Sequence, residues 1–287
     1  MKIAIIGGTG TVGTPLLSWL IQAGAHVTAL ARTSEAARRV RAAGGTPVPG
    51  DLDDGETIGR LIADADSVLL LTANTPDQLD QEIRVIDVNA SSRRAPIVKV
   101  SVPAASADSP LAIARTHHAA EEHLRGSGVD HAIVRPGWFM QNLDLVRERA
   151  RRTGVVALPI GDGAIAAVDA RDIAHVCGVL LTDPSRFAGR DVHVVGRQDV
   201  TGESMAAALS RATDREISFR DISRQEFETA LGEQGHKEDL VEDLGFLYDV
   251  VIRNGFLAGP NESVHELTGR PALTFPTFAE QHAEWFA

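Results

Sequence analysis

Cysteine occurs once in this 287-residue chain, tyrosine once and lysine three times. A lone Cys177 excludes an intramolecular disulfide framework and any cysteine-based zinc cluster, and no other metal-ligand spacing is present. The 28 basic residues, nearly all arginine, are outnumbered by 39 acidic ones, for a formal net charge of -11. Nucleic acid and anionic membrane surfaces need a positive face, so this balance argues against both as partners. Long apolar runs are missing too: the longest are strand-sized, well short of the ~20 residues a membrane helix requires. The opening Met1–Ile6 stretch turns into glycines too early for a signal-peptide apolar region. The expected setting is cytoplasmic, with a reduced thiol. What the chain does have is 44% hydrophobic residues, enough for a sizeable core.

Short apolar runs alternate with helical patterns from the start. Strands are expected at 2–6, 26–31, around Val48, at 67–72, 97–101 and 132–135, separated by helices at 12–23, 34–43, 56–64, 76–91 and 110–126. Such alternation implies an α/β fold, a parallel sheet with right-handed crossovers and helices on both faces. After Pro136 the rhythm changes. A helix at 139–151, strand-like segments near 155–158, 164–168 and 192–195, and mostly helical segments beyond 202 are expected. The division is 1–136, nucleotide-binding, and 137–287, a smaller lobe packed on it over the strands' C-terminal ends, with chain crossings allowed.

Gly7-Gly8-Thr9-Gly10-Thr11-Val12-Gly13 lies between the first strand and the first helix. Gly7 permits a tight turn, Gly10 lets a pyrophosphate approach the backbone, and Gly13 allows close helix–strand packing. The helix N-terminus then offers unpaired N–H groups and a positive dipole end to phosphates. This context, strand before and helix after, is the one that gives the glycine pattern meaning. Where an NAD-preferring protein places an acid, this chain has Arg32-Thr33-Ser34. A guanidinium with neighbouring hydroxyls suits the 2′-phosphate of NADP, so NADPH is expected over NADH; the competing reading is a solvated surface arginine. Asp51, before Leu52, is read either as an acceptor for the adenine amino group or as a helix cap. Thr72, Ala73 and Asn74 are expected along the cofactor's ribose side, and Pro136 joins the cofactor contacts at the sixth strand's end.

The glycine loop, Gly50-Asp51-Leu52, the run Glu121–Gly128, and Arg135-Pro136-Gly137-Trp138-Phe139-Met140-Gln141-Asn142 occur in order, followed by Val168–Ala174 and Glu266–Pro271. Together they resemble the NmrA-like branch of the atypical short-chain dehydrogenase/reductases over nearly the whole chain. The resemblance implies a Rossmann-type, doubly wound NADP-binding lobe and a smaller, mainly helical C-terminal substrate lobe. Members include quinone reductases, other NADPH-dependent reductases, and NADP(H)-binding redox sensors without known turnover.

Short-chain reductases typically use a Tyr proton donor with a Lys four residues later. Here the one tyrosine, Tyr248, is followed four residues later by Ile252. The helix that would carry the pair has His117 and Glu121 instead, four apart and on one face, as are His118 and Glu122. Two readings of His117 stand: a proton donor to a carbonyl or quinone oxygen, or half of a surface ion pair. Ser101, ending the fifth strand, is expected to hydrogen-bond the same oxygen or the carboxamide. Trp138 and Phe139, with Gln141 and Asn142, are read as lining a substrate pocket or as core. The helix that holds Cys177 is expected to open at Asp169 or Asp172, with Asp172 read as its cap. The leading expectation is an NADPH-dependent reductase of a small, partly apolar acceptor such as a quinone, enone or ketone. The alternative is a non-catalytic NADP(H) sensor acting on a protein partner.

Overall fold

The computed structural model describes residues 1–287, the Phe187 side chain excepted. The chain forms two compact units, Met1–Pro136 with Ala170–Val194, and Gly137–Asp169 with Val195–Ala287.

In the first unit strands and helices alternate: β1 (Lys2–Ile5), α1 (Gly13–Gln22), β2 (His26–Ala31), α2 (Ser34–Ala42), β3 (Thr46–Pro49), α3 (Gly55–Ile62), β4 (Ser67–Leu70), α4 (Gln78–Ala90), β5 (Ile97–Val100), α5 (Ala112–Gly126) and β6 (His131–Pro136). All pairs are parallel, in the order β3-β2-β1-β4-β5-β6, with a seventh strand beyond β6. The order reverses between β1 and β4, and ligands of such sheets bind outside the strands' carboxyl ends at that reversal. Every residue of the central strands β4 and β5 is buried, as expected of a parallel strand covered on both faces. The outermost β3 is only half-buried or exposed throughout.

The second unit opens with a 3-10 turn (Met140–Leu143), α6 (Asp144–Thr153) and β7 (Val155–Leu158). The chain then returns to the first unit for α7 (Ala170–Thr182) and β8 (Arg190–Val194), the seventh strand of the main sheet. The segment Ala170–Val194 thus belongs with the first unit. Its amphipathic edge strand, exposed at three of five positions, pairs with β6 from Ala132 to Pro136. The rest of the second unit is α8 (Gly202–Thr213), β9 (Ser218–Asp221), α9 (Arg224–Glu233), α10 (Glu238–Phe246), a π-helical turn (Leu247–Ile252), α11 (Ser263–Thr268) and α12 (Phe275–Gln281). β9 pairs in parallel with β7. The strand expected at 164–168 is reduced to two isolated bridges, Phe139 to Val168 and Ile165 to Val200. Asp172 sits inside the first turn of α7, so the residue before the helix is Asp169.

Candidate functional site

The glycine loop follows β1 at the reversal point. Gly7 has φ +84°, a left-handed conformation open chiefly to glycine, and a Cβ there would lie 2.3 Å from the Leu71 carbonyl oxygen. A Cβ at Gly13 would lie 1.9 Å from the Gly7 carbonyl oxygen, so the first turn of α1 seats directly on the loop. Gly10 differs: a Cβ there would meet only the Gly7 oxygen, at 3.5 Å. The chain itself thus requires glycine at Gly7 and Gly13, whereas Gly10 leaves its backbone open to an incoming group. Gly10 and Thr11 are exposed, Thr9 is half-buried, and Val12 points into the core. No side chain caps α1 and no acid occupies its first turn, so the amide groups at its N-terminus keep their positive end for an anion. These features fit a pyrophosphate.

Arg32 is exposed after β2, and its side chain makes no ion pair or hydrogen bond among the described residues. The Thr33 hydroxyl accepts from the Ala36 amide at 3.1 Å as the cap of α2, and its own proton is left to donate. Asp51 is not the cap of α3. Asp54 takes that role, accepting from the Glu56 and Thr57 amides, while Asp51 accepts from the Asp53 amide within its own turn. Leu52 is 4% exposed and packs into the core, leaving only its backbone available to a ligand.

Beyond β4 and β5 the sheet carries two buried polar networks. The Thr72 hydroxyl, two residues past β4, donates to Glu82 Oε1 at 2.6 Å. Lys99 Nζ of β5 donates to Glu82 Oε2 at 2.5 Å, and both side chains are fully buried. Lys99 Nζ is also 3.2 Å from His117 Nδ1, and Gln78 Nε2 is 3.2 Å from His117 Nε2. An ammonium only donates, so Nδ1 faces Lys99 as an acceptor; the Gln78 amide nitrogen is likewise a donor and cannot accept a proton from Nε2. Burial first, then the Lys99 charge, lowers the His117 pKa to about 3.

In the second network the Ser101 hydroxyl donates to Glu121 Oε1 at 2.6 Å. Arg135 grips the same carboxylate with two bonds, Nε to Oε1 at 3.0 Å and Nη2 to Oε2 at 2.5 Å. Arg125 adds a bond to Oε2 at 3.2 Å and another to Asp191 of β8 at 2.9 Å. Burial opposes ionisation of Glu121, but the Arg135 and Ser101 hydrogen bonds and the two arginine charges outweigh it and lower its pKa.

His117 and Glu121 are therefore both buried, and neither forms the surface pair considered for them. They do share a helix face, but each serves a different network. A proton-donor role for His117 meets a physical obstacle: the ring is neutral at ordinary pH and both nitrogens are engaged inside the protein. Ser101, 3% exposed, has given its proton to Glu121 and can only accept from a ligand. Lys99, Glu82 and Gln78 were not foreseen as site residues. The signal existed: a lysine inside a strand buried on both faces demands an anion. Gln78, Glu82, Val85, Ile86 and Asn89 share the inward face of α4.

In the second unit, Trp138 is 3% exposed and belongs to the core rather than to a pocket lining. Its indole N–H donates to the Tyr248 hydroxyl at 2.9 Å, and the two rings meet edge-on at 6.4 Å. Tyr248, the one tyrosine, is itself fully buried, and burial pushes its pKa up. Phe139, Gln141 and Asn142 are half-buried, Ala73 and Asn74 are exposed, and Pro136 is buried at the end of β6. No helix is long and apolar enough to cross a membrane.

The NmrA-like family model matches residues 1–251. The chain is 33% identical over 284 residues to an NAD(P)H azoreductase of Xenophilus azovorans, with 99% of each chain covered. It is 34% identical over 287 residues to the (4-alkanoyl-5-oxo-2,5-dihydrofuran-3-yl)methyl phosphate reductase of Streptomyces griseus subsp. griseus, again covering 99% of each. Among solved structures, an NADPH-dependent quinone oxidoreductase of Escherichia coli complexed with NADPH superposes with a TM-score of 0.87. That match covers 98% of this chain and 99% of the other at 23% identity, a likeness of fold. With the motifs, the sheet order and the family model in agreement, the chain belongs to the NmrA-like family.

Proposed function

We propose that this protein is an NADPH-dependent reductase of a small, partly apolar acceptor: a quinone, an azo compound, an enone or a ketone. The observation that carries the reading is the glycine loop: closed by steric necessity at Gly7 and Gly13, open at Gly10, and seated on an uncapped helix at the sheet's reversal point. The names of the two relatives matched over 99% of this chain, both reductases, support it.

When bound, the nicotinamide supplies the hydride. The chain's residues bind and orient it. Amides of Thr9, Thr11 and Val12 take the pyrophosphate, while the Gly10 amide donates to the Gly7 carbonyl and its missing side chain lets the phosphates approach. Arg32, free of protein partners, takes the 2′-phosphate, and Asp51 and the Leu52 backbone flank the adenine. Thr72, Ala73, Asn74 and Pro136 border the nicotinamide riboside, with Ser101 accepting a hydrogen bond from it. His117 is a positioning residue, and the proton that accompanies the hydride comes from solvent. Phe139, Gln141 and Asn142 are the candidate acceptor contacts.

Testing begins with NADPH and NADH titrations, then an acceptor screen that follows loss of the reduced nicotinamide. Arg32→Ala should weaken NADPH binding about 10–100-fold, the worth of one or two charged hydrogen bonds, and leave NADH binding nearly unchanged. Equal losses would remove Arg32 from the 2′-phosphate. A second reading, NADP(H) binding without turnover, is favoured by one observation: the Ser101 proton is committed to Glu121, and His117 is buried against Lys99 and Gln78.

A further inference from the structure

The ion pair between Glu82 and Lys99 is fully buried on both sides and belongs to no step described so far. Sealing two charges in a core costs desolvation that their attraction only just offsets, so such a pair is a poor stabiliser beside apolar side chains of similar volume. Its use therefore lies in what it holds. Besides His117 and Gln78, whose amide donates to Glu82 Oε1 at 3.4 Å, that is the Thr72 hydroxyl, half-buried just beyond β4 at the reversal point of the sheet.

A hydroxyl has one proton and two lone pairs. The Thr72 proton is fixed on Glu82 at 2.6 Å, and Lys99 holds that carboxylate in place at 2.5 Å. We infer that Glu82 and Lys99 are positioning residues for the cofactor: they lock Thr72 with its proton inward, so that it meets the ligand as an acceptor only. Ser101 repeats the arrangement on the next strand. The last registered pair of β4 and β5 is Leu70 with Lys99, and Thr72 and Ser101 each lie two residues further on. Ser101 likewise gives its proton to a buried carboxylate, Glu121. Two neighbouring strand ends thus share one polarity. The ligand group that suits them is an N–H or O–H donor, the carboxamide or a ribose hydroxyl of the nicotinamide riboside. A carbonyl oxygen is turned away.

The inference rests on the reductase reading, and its test separates the two. NADPH affinity and turnover are measured for the wild-type protein, the double variant Glu82→Gln/Lys99→Met, Thr72→Val and Thr72→Ser. The second probe is the acetylpyridine analogue of NADPH, whose ring carries a methyl ketone and so lacks the amide donor. The double variant removes both charges together and should unfold at an equal or higher urea concentration. It should nevertheless bind NADPH about tenfold more weakly, as should Thr72→Val, with no further loss when the two are combined, and Thr72→Ser should restore binding. If wild-type preference for NADPH over the analogue shrinks in the variants, the donor is the carboxamide. If NADPH binding weakens while that preference holds, the donor is a ribose hydroxyl. Wild-type affinity for both probes in the double variant and in Thr72→Val, with turnover intact, would overturn the inference and leave the reductase reading standing. Failure of the wild-type protein to bind NADPH would overturn both.

Discussion

The two units bury different chemistry. Of the eleven buried polar or charged side chains among the described residues, all but Asp169 lie in the first unit, among them Glu82, Lys99, His117 and Glu121. The second unit has an apolar core built on Trp138, Phe227, Tyr248, Phe275, Phe278 and Phe286. Apolar packing asks for shape and volume, and its strength grows with the area removed from water. A buried charge asks for one partner in one place, and contributes little net stability even when it finds it. The interior of the second unit is therefore held mainly by packing, with the Trp138–Tyr248 hydrogen bond inside it, while the first spends more of its interior on fixing the direction of hydrogen bonds.

Two substitutions of similar cost separate these modes. Phe278→Ala, in the second unit, should cost about 3–5 kcal/mol in urea unfolding, with no single partner change that restores it. Lys99→Met should cost about as much, because it leaves Glu82 buried and unpaired. There, adding Glu82→Gln should recover most of the loss. A Lys99→Met variant as stable as the wild type would remove the contrast between the units.

A smaller effect is expected in the loop. Gly13→Ala places a methyl 1.9 Å from the Gly7 oxygen, and backbone must move to admit it. The cost in stability should be about 1–3 kcal/mol, but NADPH titration should show binding lost by a larger factor than unfolding suggests. Unchanged NADPH affinity would place the pyrophosphate elsewhere.

The smallest effect is on pH dependence. His117 has a folded pKa of about 3, well below its ordinary 6.5. Between those values the unfolded chain takes up a proton that the folded protein refuses, so stability falls as pH falls through that window. The slope for one such group is about 1.4 kcal/mol per pH unit. Glu121, whose pKa is lowered, acts in the same direction but only below the ordinary carboxylate range. His117→Gln should therefore flatten the stability profile between about pH 6 and pH 5, where carboxylates contribute little. An unaltered slope would mean that His117 is protonated inside the fold.

Much of this organisation was legible in the sequence, for physical reasons. Alternating strands and helices and the Gly7–Gly13 loop act locally, through periodicity and backbone sterics, and six strands of the main sheet fall where the pattern put them. The return of α7 and β8 to that sheet was not legible. Arg190-Asp191-Val192-His193-Val194 reads as some edge strand, but nothing local names its neighbour. β9, Ser218-Phe219-Arg220-Asp221, has a single apolar residue and gave no strand signal. In the site, the phosphate loop could be read directly, whereas the partners of His117 and Ser101 could not. They come from α4, β5 and α5, and only the folded sheet brings Glu82 to Lys99 or Arg135 of β6 to Glu121. The buried lysine of β5 was the missed clue, since a charge between two covered faces already implies a counterion.

The central claim is hydride delivery from NADPH, and one measurement addresses it most directly. The protein is mixed with one equivalent of NADPH and an excess of a small apolar quinone, and the reduced nicotinamide is followed in a single turnover. The account predicts quinone-dependent oxidation of NADPH, slower with NADH. Tight NADPH binding with no oxidation by the quinone, nor by azo, enone or ketone acceptors, would contradict it and identify a protein that binds the cofactor without using it.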